Sequence, residues 1–275
     1  MGACAHEFAI TYVGGPTAIL TIDGVSFITD PTFDPAGGDY ASGAVRLHKT
    51  RGPALAADEL GRIDVALVSH DQHPDNLDTS GRELLKTVPH VLSTRAGAVR
   101  LGSGAIGLMP WQNWTVRSRR GTTLLVTATP ARHGPVGIEA ITGEVIGFVI
   151  SGVESGLDLA YATGDTVWYE GTREVARRHR PRTVLVFAGG AQVRGPFYLT
   201  MDTNDVIEAA AAFPEALIVP VHHDGWRHLT QSQEDLAKSF QALGMSDRLR
   251  LVTGGETIRI GCGGNRGNKT GAAHS

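Results

Sequence analysis

Short apolar runs separated by turn-forming residues dominate the chain and predict many β-strands. The pattern is clearest in the first 33 residues, where the Asp23–Gly24 pair between two apolar runs predicts a tight hairpin. Further on, the runs alternate with segments whose apolar residues recur every three or four positions, as in helices. We predict strands at 63–69, 90–94, 122–129, 144–151, 157–163, 183–189, 216–222 and 250–255, and helices at 79–87, 95–101, 172–179, 203–213 and 231–243.

Hairpins mixed with strand–helix units predict an α/β protein with sheets covered by helices, and exclude a helical bundle or a simple barrel. The length of 275 residues, 41% of them hydrophobic, fits one large domain or two small ones. The tail 262–275 is rich in glycine and polar residues, so we expect it to be disordered.

Charge and composition narrow the possible partners. The net charge of −3 comes from 25 basic and 28 acidic residues without a long basic block, which argues against nucleic acid. The longest apolar runs, such as 216–221, are far shorter than the roughly 20 residues that cross a bilayer. Two cysteines near opposite ends, Cys4 and Cys262, fit a reducing cytoplasm. We therefore expect a cytoplasmic protein that acts on a small molecule, with self-association left open.

Five of the β-like runs end in side chains that can bind a metal or carry charge. Such groups need partners at the end of a buried strand, because burying them unpaired costs about 2–7 kcal/mol. A shared cation would satisfy all of them, and zinc, manganese and iron take histidine and carboxylate ligands. The residues are Asp30; His70, Asp71, His73, Asp75 and Asn76; His133; Asp165; and His222, His223 and Asp224.

Most of these features also have a structural interpretation when taken alone. His133 fits a hydrogen-bonded surface histidine, and Asp30 can brace a loop. Asp165, in Gly-Asp-Thr, fits a turn or a helix cap. The neighbours His222 and His223 cannot face the same side of a strand, so one of them is structural. Only the segment HDQHPDN indicates a metal or catalytic site by itself.

Taken in order, these motifs resemble the metallo-β-lactamase superfamily, and within it the ascorbate-phosphate lactonase-like hydrolases. The resemblance spans residues 9–257. It rests on the opening hairpins with their TDP turn, the His-rich loop after VALVS, the PARH and YATGDT turns, and a late helix followed by VPVHHDGW. Each motif is moderately specific, whereas five in this order are specific to the family.

The resemblance implies one domain over residues 1–261, an αβ/βα sandwich of two mixed sheets with helices outside and a metal site where the strands end. It implies one or two divalent ions, zinc before manganese or iron. By position, it implies a three-histidine site of His70, His73 and His133, a second site with Asp75 and His222, and Asp165 as the bridge between both metals.

Two departures from the family pattern affect the second site. The usual loop is H-x-H-x-D-H, whereas this chain has one more residue between the histidines and ends in Asn76. We align His73, not Gln72, with the second histidine, because Asp75 then keeps its spacing to it. Gly15 also stands where the family has a histidine. An amide oxygen replaces imidazole poorly at zinc, so we expect a weaker second site.

The role of Asn76 has three interpretations at this point. It leaves a vacancy at the second metal, it caps the following helix, or His223 or Asp71 supplies the missing ligand instead.

The sequence predicts a metal-dependent hydrolase in which a metal-bound hydroxide attacks an ester, lactone or amide bond. Asp75 would be the catalytic residue that orients the hydroxide and accepts its proton. The alternatives are a phosphodiesterase of the same fold and a degenerate member that binds metal or ligand without turnover. Specificity is expected from loops 34–60 and 102–120. Supporting or substrate-contacting roles are assigned to Asp30, Asp71, Asn76, His223 and Tyr198.

Overall fold

The computed structural model describes residues 6–102 and 104–261, and two mixed β-sheets form its centre. The seven-stranded sheet has the order β15-β1-β2-β3-β6-β7-β8, the six-stranded sheet has the order β14-β13-β12-β11-β10-β9, and β4 and β5 form a separate hairpin. The strands are β1 (Phe8–Gly14), β2 (Thr17–Ile22), β3 (Val25–Thr29), β4 (Asp39–Ser42), β5 (Val45–His48), β6 (Val65–Leu67), β7 (His90–Thr94), β8 (Ile106–Leu108), β9 (Asn113–Arg117), β10 (Thr123–Pro130), β11 (Ile146–Gly152), β12 (Leu157–Ala162), β13 (Thr183–Phe187), β14 (Leu217–Val221) and β15 (Thr257–Arg259).

Six α-helices accompany the sheets within the described residues, and five of them lie where the sequence predicted helices, with ends that differ by a few residues. The additional helix, α3, is a single turn. The helices are α1 (Thr79–Leu85), α2 (Arg95–Leu101), α3 (Glu139–Thr142), α4 (Glu170–Arg178), α5 (Thr203–Ala212) and α6 (Gln233–Ala242). No helix in this part of the chain has both the length and the apolar character needed to cross a bilayer.

The two sheets pack face to face, because each presents alternate apolar side chains to a shared core. Leu20 and Phe27 of the first sheet belong to the same buried cluster as Phe148 and Leu185 of the second. The outer face of the first sheet packs on the segment around α1, and that of the second packs on α4, α5 and α6. The predicted sandwich with helices outside is confirmed.

Two local expectations had different outcomes. Asp23 and Gly24 have φ values of 50° and 82° between β2 and β3, the left-handed pair that a tight hairpin turn requires. The strand predicted at 250–255 is wrong, because that segment is irregular and β15 begins only at Thr257. The tail 262–275 and both cysteines lie outside the described residues.

A buried ion pair ties the β4–β5 hairpin to the start of α1. Asp78 caps α1 by accepting from the Gly81 N–H, and it also accepts from the backbone of Phe33 and Asp34. Lys49 Nζ, one residue after β5, donates to Asp78 Oδ2 at 2.8 Å, and both side chains are at most 3% exposed. Asp78 thus binds both Lys49, which follows the hairpin, and the first turn of α1.

We expect Asp78→Ala to lower the free energy of unfolding by about 3 kcal/mol or more, because it leaves Lys49 buried without a counter-charge. Urea unfolding followed by circular dichroism measures the change. Glu83→Ala on the same helix is the control, since its pair with Lys86 is exposed and should contribute less than about 1 kcal/mol. Equal losses in the two variants would contradict the role given to Asp78.

Candidate metal centre

Four strand ends converge at one edge of the sandwich and bring the six predicted ligands together. The His-rich loop follows β6, His133 follows β10, Asp165 follows β12 and His222 follows β14. The side chains form two groups, and within each group the ligand atoms lie within 4.8 Å of one another. The histidine trio is His70, His73 and His133, and the mixed trio is Asp75, Asp165 and His222.

The histidine trio presents three ring nitrogens to a common point. His73 Nδ1 lies 2.9 Å from His70 Nε2 and 3.2 Å from His133 Nε2. Burial lowers the pKa of His70 well below its usual range, and burial together with His133 lowers the pKa of His73 to about 4. These two imidazoles are therefore neutral at pH 7, the state in which histidine binds a metal.

Hydrogen bonds on the far side of two rings fix which nitrogen carries the proton. Ser69 Oγ donates to Asp30 Oδ2 at 2.7 Å, so it accepts from the Nδ1–H of His70 at 2.8 Å. His133 Nδ1 donates to the Leu199 carbonyl at 2.8 Å. The Nε2 lone pairs of His70 and His133 consequently both face Nδ1 of His73. One proton on His73 Nδ1 cannot satisfy both of these lone pairs. A cation fits this arrangement.

The mixed trio places two carboxylates around one imidazole. His222 Nε2 lies 3.6 Å from Asp75 Oδ2 and 3.6 Å from Asp165 Oδ1. Burial alone would lower the pKa of His222, but the two carboxylates raise it to about 10. Asp75 Oδ1, Asp165 Oδ1 and both His222 nitrogens are buried without a hydrogen-bond partner among the described residues. A divalent cation would supply what these atoms lack.

Asp165 stands between the two trios with one oxygen toward each. Its Oδ2 lies 3.7 Å from His133 Nε2 and 3.9 Å from His70 Nε2, while its Oδ1 faces His222. Burial opposes the charged form, yet the surrounding imidazoles, His222 first, hold the pKa of Asp165 well below its ordinary value. The side chain thus has the position and the charge of a bridging ligand.

Asp30 lies directly beneath the His-rich loop and is buried. It accepts from the Ser69 N–H at 2.6 Å and the Ser69 hydroxyl at 2.7 Å, and the Asn76 amide donates to it at 3.3 Å. Burial raises the pKa of Asp30 to about 7. The interpretation of Asn76 as a helix cap is wrong, because Asp78 caps α1.

The other predicted residues lie away from the two trios. Asp71 accepts from Arg100 Nε at 3.0 Å, so its carboxylate already has a cationic partner. The ring of His223 packs 5.8 Å from that of Tyr12. Tyr198 accepts from Gln231 Nε2 at 3.3 Å. Neither Asp71 nor His223 belongs to either trio of ligand atoms.

His228 is a site residue that sequence reasoning missed. Its Nε2 donates to Asp75 Oδ2 at 2.9 Å, its side chain is 9% exposed, and its Nδ1 has no partner among the described residues. His228 and His222 together hold the pKa of Asp75 well below its usual range against the effect of burial. His228 follows no strand end, so the pattern that located the other ligands could not find it.

A cavity of about 180 Å³ opens above the two trios, and His73, Asp75 and His133 form its floor. Gln72 and His228 also line it. The β4–β5 hairpin supplies Val45 and Leu47 to its walls, and α3 and the segment after β13 supply the remainder. The cluster of ligand atoms is thus open to a small molecule on one side.

The fold and the buried histidine–carboxylate cluster define a metal-binding sandwich protein, and comparison with known proteins gives its family. Residues 26–223 match the family model described as the beta-lactamase superfamily domain. The chain belongs to the beta-lactamase superfamily.

Two relatives and one solved structure are similar to this chain. The UPF0173 protein YddR of Bacillus subtilis is 25% identical over 258 residues, which cover 90% of this chain and 98% of the relative. A UPF0173 metal-dependent hydrolase of Polaromonas sp. is 28% identical over 171 residues, which cover 56% of this chain and 60% of the relative. The crystal structure of isothiocyanate hydrolase from Delia radicum gut bacteria superposes with a TM-score of 0.75 at 21% identity, covering 91% and 98% of the two chains, and supports the fold.

We expect His133→Ala to abolish metal binding by the histidine trio without unfolding the protein, because the core between the sheets does not depend on this loop. Elemental analysis of the purified variant measures the metal, and circular dichroism measures the fold. His223→Ala is the matched control, since this buried histidine lies outside both trios. If the His133 variant holds as much metal as the parent, His133 is structural.

We expect His228→Ala to weaken the mixed trio's metal affinity about 10–100-fold, the usual effect of removing a group that orients a ligand. Competition with a chelator measures this affinity. His228→Gln should restore part of it, because the glutamine amide can also donate to Asp75. An unchanged affinity in the alanine variant would show that His228 does not position Asp75.

Proposed function

We propose that this metal-dependent hydrolase of the beta-lactamase superfamily cleaves an ester, lactone or amide bond in a small molecule. One or two divalent ions, zinc before manganese or iron, would be held by the histidine trio and the mixed trio. The observation that carries the proposal is the position of these trios, because buried ligand atoms without partners form the floor of an open cavity. A substrate in the cavity would lie directly against them.

The two trios differ in the ligands they offer. Three imidazole nitrogens suit zinc well, whereas two carboxylates and one imidazole give the mixed trio a more oxygen-rich set. Asp165, which directs one oxygen to each trio, would serve both ions. A divalent ion bound here lowers the pKa of water toward about 7 and polarises the oxygen of the bond to be cleaved.

Asp75 would orient the attacking water and accept its proton. It belongs to the floor of the cavity, and its Oδ1 has no hydrogen-bond partner among the described residues. The hydrogen bond from His228 holds the other oxygen, Oδ2. The low pKa keeps Asp75 charged, so it would accept a hydrogen bond from the attacking water and then take its proton.

The walls of the cavity would exclude bulk water around the bond to be cleaved. Val45, Leu47 and Leu199 are apolar, and Ile141 of α3 also lines the cavity. The volume of about 180 Å³ favours a small substrate over a polymer.

A panel of simple substrates tests the proposal. Purified protein, stripped with a chelator and reloaded with zinc, manganese or iron, should hydrolyse at least one ester, lactone or amide and lose this activity when stripped again. Hydrolysis confined to bis(p-nitrophenyl) phosphate would favour the phosphodiesterase alternative. Metal binding without turnover of any substrate would favour a binding protein.

We expect Asp165→Asn to lose more activity than His222→Ala, because Asp165 faces both trios whereas His222 faces one. The loss should reach at least 100-fold in kcat, by analogy with other removals of groups that hold a catalytic metal. Metal content measured beside kcat checks the reason, since the Asp165 variant should lose metal from both trios. A fully active Asp165 variant would contradict the assignment.

A further inference from the structure

One basic residue lines the cavity above the metal centre and has no part in the hydrolysis proposed above. Among the described residues that line the cavity, Arg194 is the only lysine or arginine. It lies in the segment between β13 and α5, next to Val193, which also lines the cavity. A permanent positive charge is therefore part of a wall that is otherwise mostly apolar.

The Arg194 guanidinium lies beside the tip of the β4–β5 hairpin. A methyl group added to Gly43, at that tip, would lie 3.3 Å from Arg194 Nη2. Gly43 itself lines the cavity. The guanidinium thus sits where the hairpin and the segment after β13 meet above the metal centre.

Arg194 has no hydrogen bond or ion pair within the described part of the chain, in contrast to several other arginines of the protein. Arg100 is bound by Asp71, and Arg177 is bound by two glutamates. The acidic residue of the cavity, Asp75, is already held by His228. Arg194 is exposed, so solvent reaches its donors, and a ligand that enters the cavity can replace that solvent.

We propose that Arg194 binds a carboxylate carried by the substrate, and that the hydrolysed molecule is a small acid with an aliphatic body. This inference rests on the proposed function. A guanidinium presents paired N–H donors that match the two oxygens of a carboxylate. The apolar walls, including Val45, Leu47 and Leu199, suit the carbon chain between that carboxylate and the bond at the metal centre.

A carboxylate fits this wall better than a phosphate. Arg194 is the only permanently cationic lining residue in the described chain, and one guanidinium balances a single negative charge. A phosphate monoester carries close to two charges at pH 7 and recruits more donors.

Two esters of nearly the same shape test the proposal through activity. The acyl group of p-nitrophenyl hydrogen succinate ends in a carboxylate, where that of p-nitrophenyl butyrate ends in a methyl group. Arg194→Gln should lower kcat/KM for the succinate ester about tenfold, mainly by raising KM, and leave the butyrate ester within about twofold. Equal effects on the two esters, or no effect, would overturn the proposal.

Arg46→Gln is the matched control. Arg46 is exposed on β5 between the cavity-lining residues Val45 and Leu47, so alternation along the strand directs it to the opposite side. The substitution removes the same charge from the hairpin whose tip lies beside Arg194. It should leave both esters unaffected, and a loss equal to that of the Arg194 variant would assign the effect to overall charge and overturn the proposal.

Binding of two acids tests the contact without turnover. Glutarate and valerate each carry a carboxylate for the metal centre, but only glutarate has a second one for Arg194. By calorimetry on the zinc-loaded protein, we expect glutarate to bind more tightly than valerate, and Arg194→Gln to remove this difference. If the difference is absent in the parent or persists in the variant, the inference fails. If it behaves as expected while no ester is hydrolysed, only the proposed hydrolysis fails.

Discussion

The hydrogen bonds of one buried carboxylate, Asp30, set the geometry on which the metal centre depends. Asp30 follows β3 and accepts from the backbone and the hydroxyl of Ser69 at the start of the His-rich loop, and from Asn76 further along it. Its backbone has a φ of 28°, a conformation that a residue other than glycine adopts only when its surroundings impose it. Because Ser69 donates to Asp30, it must accept from His70. The buried carboxylate thereby determines which nitrogen of His70 faces the metal site.

The charges of the two trios follow from the same burial. Burial disfavours the charged form of every side chain in the site, so His70 and His73 are neutral. The carboxylates of the mixed trio keep their charge because imidazoles surround them. Asp165 joins these two environments, since its oxygens face different trios. The histidine trio therefore offers imidazole nitrogen and the mixed trio offers negative oxygen.

The sequence predicted those parts of the protein that follow from strand ends. A polar residue after a buried strand must lie at an edge of the sheet. This rule indicated eleven candidate residues, and the family resemblance selected the six members of the trios from them. It also required that His222 and His223 diverge, and the structure directs His222 to the mixed trio and His223 to Tyr12.

The same rule explains what the sequence could not predict. His228 lies in an irregular segment, where no periodicity indicates a direction, and its contact with Asp75 joins residues 153 positions apart. The β4–β5 hairpin was missed because its strands are only four residues long and largely exposed. The segment 250–255 contains the apolar pair Leu251 and Val252, but a turn at 254–255 follows at once. The nearest strand-like pairing is an isolated bridge between Ile218 and Leu249, just before the segment.

The floor and the walls of the cavity are formed by different elements of the fold. The floor belongs to the sandwich, because its residues follow strands that the shared core holds in place. The walls come from the hairpin and from irregular segments, which a sheet cannot position. Lys49 fixes the position of the hairpin, because it follows β5 directly and forms an ion pair with Asp78. Asp78 lies at the end of the His-rich loop and caps α1. The hairpin is thus fixed to the floor by a buried charge pair. A substrate held by the hairpin side of the cavity would therefore keep a constant distance from the metal centre, which is what hydrolysis of one bond in a small molecule requires.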